Sequence, residues 1–133
     1  MTSPVLAVPR PVRELAHDEG SGAWTAGFTV EITADEPVFA GHYPDFPIFP
    51  GVCVMECVRR AAESARPPLT EGLRLAAVES TRFTAAVHPG DELTVEVTWS
   101  PRGEGWRCAA KVATAHGRTA SVRLRYAPEA TAC

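Results

Sequence analysis

From 23 to 32 apolar and polar side chains alternate, with Trp24, Ala26, Phe28, Val30 and Ile32 on one face. A period of two predicts a half-buried β-strand. The stretch 36–50 breaks this pattern with four prolines, set among Phe39, Tyr43, Phe46 and Phe49. So much proline excludes a regular helix or a central strand, and so many aromatics exclude a solvated linker. From Pro50 or Gly51 to about Arg66 the period becomes helical. Val54, Cys57, Val58, Ala61, Ala62 and Ala65 share one face, while Glu56, Arg59, Arg60, Glu63 and Arg66 gather on the other. Pro67 and Pro68 end the helix. Strand patterns return at 73–84, 92–100, 106–115 and 119–127, with turns at Pro89-Gly90-Asp91 and at 102–105. Sequential strands joined by short turns pair antiparallel, and one amphipathic helix covers one face of the sheet. The fold class is therefore α+β.

The chain of 133 residues suits a single domain, 1–133, whose first 13 residues, with three prolines, read as an irregular arm. The net charge of −3 argues against a nucleic-acid binder. Cys53 and Cys57 lie four apart with no second close pair, which does not make a zinc framework. No apolar run approaches the roughly 20 residues needed to cross a bilayer, and no secretory leader opens the chain. The expectation is a soluble cytoplasmic protein with reduced thiols.

Candidate chemistry centres on three residues. His42 stands in the proline-stiffened segment between Gly41 and Tyr43-Pro44. A stiff loop against apolar walls suits a neutral catalytic base, and it equally suits a histidine packed in the core. Glu56 falls in the first turns of the helix, where a carboxylate pairs with Arg59 at i+3 or Arg60 at i+4. Gly51 begins the helix, where unpaired N–H groups and a missing side chain admit an oxyanion. His17, His88 and His116 lie in or near turns and carry no such setting.

The order of these residues is more specific than any one of them. The run Phe39-Ala40-Gly41-His42-Tyr43-Pro44-Asp45-Phe46-Pro47-Ile48-Phe49-Pro50-Gly51-Val52-Cys53-Val54-Met55-Glu56 resembles the signature of the (3R)-hydroxyacyl-acyl carrier protein dehydratases of the FabZ type. That pattern is Gly-His-aromatic-Pro, then Pro-x-x-Pro-Gly-Val, then an acid. Asp35-Glu36-Pro37 upstream, and Arg82-Phe83 with Val87-His88-Pro89-Gly90-Asp91 downstream, extend the similarity over about 23–127. The resemblance implies a hotdog fold, a curved antiparallel sheet wrapped around one central helix. It implies a homodimer or higher oligomer, or a heterodimer with a second hotdog subunit. The site would lie between subunits, with the histidine from one chain and the acid from the other. It implies a 3-hydroxyacyl thioester on the phosphopantetheine arm of acyl carrier protein, and no metal or redox cofactor. Neither nucleic acid nor membrane is an expected partner.

In this reading His42 takes the C2 proton, the Gly51 N–H holds the thioester oxygen, and Glu56 helps the C3 hydroxyl leave as water. Phe39, Tyr43, Phe46, Phe49 and Val52 are candidates to line the acyl chain, and the aromatics are equally candidates for plain core. The product would be a trans-2-enoyl thioester, in fatty-acid or in polyketide or polyene synthesis. One departure bears on the chemistry: where the family carries glutamine four residues after the acid, this chain has Arg60. A cation touching Glu56 would oppose its use as a proton donor. The rival readings are a hotdog acyl thioesterase and a non-catalytic hotdog subunit of a heteromeric dehydratase.

Overall fold

Apolar side chains at every second position demand a sheet with one dry face. The computed structural model, which describes residues 5–41 and 48–128, contains such a sheet. Its strands are β1 (Arg10–His17), β2 (Trp24–Glu31), β3 (Leu73–Phe83), β4 (Glu92–Arg102), β5 (Gly105–Thr114) and β6 (Gly117–Pro128). They form one six-stranded sheet in the order β1-β2-β4-β5-β6-β3, with every neighbouring pair antiparallel. Two helices interrupt the strands, α1 (Pro37–Gly41) and α2 (Gly51–Ser64). This is the hotdog arrangement, a curved sheet around a central helix.

The alternation on each inner strand decides which face is dry. Ala26, Phe28 and Val30 on β2 and Leu93, Val95, Val97 and Trp99 on β4 are buried, as are Cys108, Ala110 and Val112 on β5. From β6 come Ala120, Val122, Leu124 and Tyr126. Against them α2 turns Cys53, Val54, Cys57, Val58, Ala61 and Ala62, the stripe that helical periodicity selects. Four of these six are cysteine or alanine, small enough for the helix axis to lie close to the sheet. A tight turn leads the chain from β3 across to β4, which lies elsewhere in the sheet. Between Pro89 and Asp91, Gly90 adopts φ +92°, a conformation that other residues avoid, and the Asp91 side chain accepts the His88 N–H at 2.8 Å.

Two expectations are corrected. Residues 10–13 are not irregular: they open β1, which pairs with β2 through two register shifts. The strand is exposed along nearly its whole length, so no alternation marks it. Within the proline-rich stretch the structure forms α1, a short helix beginning on Pro37. Proline is accommodated at the first helical position because its missing N–H has no partner to lose there.

The first described residues are fastened by side chains acting in place of a strand. Glu36, only 2 % exposed, accepts the N–H of Leu6 at 2.9 Å and of Ala7 at 2.8 Å, one on each carboxylate oxygen. Arg60 Nη1 donates to the carbonyls of Val5 at 3.1 Å and Ala7 at 2.7 Å. An acid beside α1 thus takes the donors of 5–7, and a base on α2 takes the acceptors. The clasp ties the root of α1, which leads directly to position 42, to the central helix. Glu36→Gln keeps one acceptor but sets an amide N–H₂ against a backbone N–H. A loss of about 1–3 kcal/mol is expected in chemical denaturation.

Burial also sets a pH dependence. It pushes the Cys57 thiol up from its ordinary 9.0 to about 12, helped by the charge of Glu36, and it raises Tyr126 from 10.0, helped by the charge of Glu63. The unfolded chain loses these protons first, so their contribution to stability is complete below pH 9 and is lost as pH rises towards 12. The melting temperature should fall between pH 9 and 12, and Cys57→Ala should flatten that fall.

Candidate functional site

Helix α2 begins without a side-chain cap. Pro50, in an extended conformation, precedes it, and the Pro50 carbonyl accepts the N–H of Cys53 at 2.9 Å and of Val54 at 3.1 Å. The N–H groups of Gly51 and Val52, the first helical positions, have no acceptor within the helix. Gly51 lines a largely apolar cleft of about 240 Å³ together with Ile48, Phe49, Val54, Phe83 and Val87. A Cβ at position 51 would stand 2.9 Å from the Phe83 ring, so a side chain there would require that ring to shift. Backbone N–H groups at the positive end of a helix, facing an apolar hollow, can stabilise an oxyanion.

The aromatic candidates divide. Phe49 is held by its N–H to the Val87 carbonyl at 2.7 Å, and its ring lies tilted on Phe39 with centroids 6.0 Å apart. Both belong to the core, and Phe49 also forms part of the cleft wall. Val52 is 65 % exposed and stands off that wall. His42, Tyr43 and Phe46 lie outside the described residues; position 42 follows directly on Gly41, the last residue of α1. The remaining histidines are engaged elsewhere. His17 stacks on Trp24 at 4.6 Å, His88 sits in the turn closed by Asp91, and the His116 N–H bonds Thr114 Oγ1 at 3.2 Å.

Glu56, with a side chain 17 % exposed, is gripped by Arg59, one turn further along α2. Arg59 Nε donates to Glu56 Oε1 at 2.8 Å and Nη2 to Oε2 at 2.9 Å, a two-pronged fork that uses both carboxylate oxygens. The same guanidinium reaches Glu63 Oε1 through Nη1 at 3.2 Å, and Glu63 Oε2 accepts the Tyr126 hydroxyl at 2.9 Å. Four side chains therefore run in series from Glu56 to the sheet. The hydrogen bond to Glu56, and then the charges of Glu56 and Glu63, hold the Arg59 guanidinium protonated even more firmly than usual. Arg60, the departure from the glutamine position, points away to Val5 and Ala7. The cation on Glu56 is thus at i+3 and not at i+4.

Arg59 and Glu63 also border a larger, polar cleft of about 630 Å³, closed by Arg66, Leu73 and Tyr126. There Arg66 lies over the Tyr126 ring at 5.4 Å and donates to the Leu73 carbonyl at 2.7 Å. Among the described residues no cluster of histidine, cysteine, aspartate or glutamate is arranged to hold a metal ion. No helix among them is long and apolar enough to cross a membrane. Phe83 was not a candidate from sequence. Its position after Arg82 signals a strand, and only the fold brings its ring over Gly51.

Comparison with known proteins places this geometry in a family. Residues 17–122 match the ApeI-like family, described as ApeI dehydratase. The chain is 40% identical over 90 residues to a 3-hydroxyacyl-[acyl-carrier-protein] dehydratase FabZ of Psychromonas ingrahamii, a match covering 61% of this chain and 60% of that one. The match thus spans about three-fifths of that curated relative. In fold, an uncharacterised protein from Erwinia carotovora subsp. atroseptica superposes with a TM-score of 0.71 at 16% identity, covering 92% of this chain and 98% of that one. The dehydratase heterocomplex ApeI:P from Xenorhabdus doucetiae superposes with a TM-score of 0.64 at 17% identity, covering 90% and 97%. The FabZ-type assignment drawn from the His42–Glu56 signature is corrected by the family match: likeness to FabZ enzymes extends over part of the chain, but the family is another. The chain belongs to the ApeI-like family of dehydratases.

Proposed function

We propose that this chain is a subunit of a dehydratase that converts a 3-hydroxyacyl thioester, carried on acyl carrier protein, to the trans-2-enoyl thioester, working beside a second hotdog subunit. The observation that carries this reading is the Arg59 fork on Glu56. Loss of water needs a base for the C2 proton, a donor for the oxygen of the developing enolate, and a group that sees the C3 hydroxyl off with a proton. His42 serves as the base. The Gly51 N–H, at the positive end of α2 and in the apolar cleft, serves as the oxyanion donor. With both oxygens of Glu56 accepting from Arg59, this carboxylate is held as an acceptor and is not the proton donor. The proton for the departing hydroxyl then comes from an acid of the second subunit.

The edge of the sheet supports such a partner. β3 is an 11-residue edge strand, paired among the described residues with β6 alone. Its Leu75, Val78 and Phe83, in register with the inward Tyr126, Leu124 and Ala120, remain exposed, as does Val52 on α2. A second hotdog subunit extending the sheet at this edge would cover them. The Xenorhabdus doucetiae structure, a dehydratase heterocomplex, supports a reading with unlike subunits.

The test is turnover of a carrier-bound 3-hydroxyacyl thioester, read as loss of water by mass, with the chain alone and mixed with its partner subunit. Activity is expected in the mixture. His42→Ala should reduce it by about 10²–10⁴-fold, the usual share of a general base. Glu56→Gln should cost far less. Equal losses in the two variants would return Glu56 to the role of acid, and release of free thiol without an enoyl product would replace dehydration by thioester hydrolysis.

A further inference from the structure

The outward face of the sheet is divided between two chemistries. On β2 and β4 it carries Thr25, Thr29, Thr94 and Thr98, with Glu31, Glu92 and Glu96. Threonine is the residue that a solvated strand favours. On β5, β6 and β3 the outward positions alternate instead between very small and cationic side chains. Arg107 stands opposite Arg125, Arg123 stands between Ala109 and Ser80, and Ser121 stands between Lys111 and Arg82.

With Arg74 and Arg118, seven cations thus share these three strands with one acid, Glu79, which takes Arg107 at 3.0 Å and Arg125 at 3.9 Å. Lys111 has Glu96 as its cross-strand neighbour on β4, but Glu96 is engaged by Arg13 at 3.1 Å. The chain as a whole is net −3, so this concentration of positive charge is local. Like charges directly opposite one another destabilise a sheet, and alanine and serine contribute little cross-strand packing. The small residues add little to the isolated fold, and Glu79 offsets the repulsion of the Arg107–Arg125 pair without neutralising the patch. Both serve contact, because cations standing over a floor of small residues let another surface approach closely and meet charge on every side.

We propose that this face docks an acidic protein, and, resting on the function proposed above, that the protein is the carrier bearing the thioester. The patch reaches the reaction cleft: Arg82 directly precedes Phe83, and the exposed Arg118 directly precedes Thr119, both residues of the cleft wall. Its width suits a compact partner, since three strands at about 4.8 Å spacing are roughly 10 Å across from axis to axis. A long polyanion such as nucleic acid fits poorly. It would run on to Glu31, Glu92 and Glu96 on the same face, and the net negative chain would not attract it from a distance.

The test uses the chain with its partner subunit and the double variant Lys111→Glu/Arg123→Glu, whose positions touch neither cleft nor helix. Binding of holo-acyl carrier protein is titrated at low and high salt. Dehydration is measured on one 3-hydroxyacyl group attached either to the carrier or to N-acetylcysteamine. Carrier affinity, and kcat/KM on the carrier substrate, should fall by about tenfold or more. The wild-type affinity should weaken with salt, and the small thioester should turn over at the wild-type rate. The neutral pair Lys111→Gln/Arg123→Gln, with a thermal melt, separates lost charge from lost fold and should give an intermediate loss. Unchanged carrier affinity in the double variant overturns the proposal. So does an equal loss on both thioesters, or binding of duplex DNA in place of the carrier. If the wild type dehydrates neither thioester, the proposed reaction fails while the binding titration still decides the docking face.

Discussion

The closeness of α2 to the sheet is the constraint on which the rest of the molecule depends. Cys57, Ala61 and Ala62 offer so little bulk that the helix settles directly on the inward faces of the strands. A leucine or phenylalanine at any of these positions would lift the helix and strain the packing. Because the helix lies low, its N-terminus meets the end of β3, its flank presents Arg59 to the polar cleft, and Glu63 reaches the Tyr126 hydroxyl. Each is a consequence of one packing distance. Moving the helix away would separate Gly51 from the cleft wall and Glu63 from the sheet together.

The polar interactions around the helix take different roles according to what surrounds them. Arg59 and Arg60 are neighbours with the same side chain, yet one fixes a carboxylate of the candidate site and the other fastens backbone carbonyls of Val5 and Ala7. Glu36 and Glu56 differ in the same way, one satisfied by backbone N–H groups and one by a guanidinium. Charge on the helix is thus divided between holding the fold and conditioning the chemistry, and the division follows the geometry of successive turns.

Much of the fold was legible because burial leaves a period in the sequence. β2, β4, β5 and β6 alternate, α2 carries a helical stripe, and both patterns matched the elements within a few residues. β1 was not legible because an exposed edge strand has no dry face, and α1 is too short for any period to show. At the site, sequence spacing offered Glu56 two partners, at i+3 and i+4. The choice was made by the carbonyls of Val5 and Ala7, more than fifty residues away in the chain, which capture Arg60. The signature around His42 pointed to the FabZ type, but the family match over 17–122 overrode it. A short motif records the chemistry that related families share and carries little of what divides them.

The ring of Phe83 over Gly51 bears on inheritance as well as on contact. No Cβ can be added at position 51 while that ring keeps its place, and Phe83 is 45 % exposed in the single chain, so the ring has room to turn. The two positions are therefore coupled through the ring. A lineage can lose the ring first and afterwards acquire alanine at 51, or acquire alanine first and turn the ring aside. Substitutions at two positions more than thirty residues apart in the chain are thus expected to be correlated during divergence, the size of one residue answering to the place of the other.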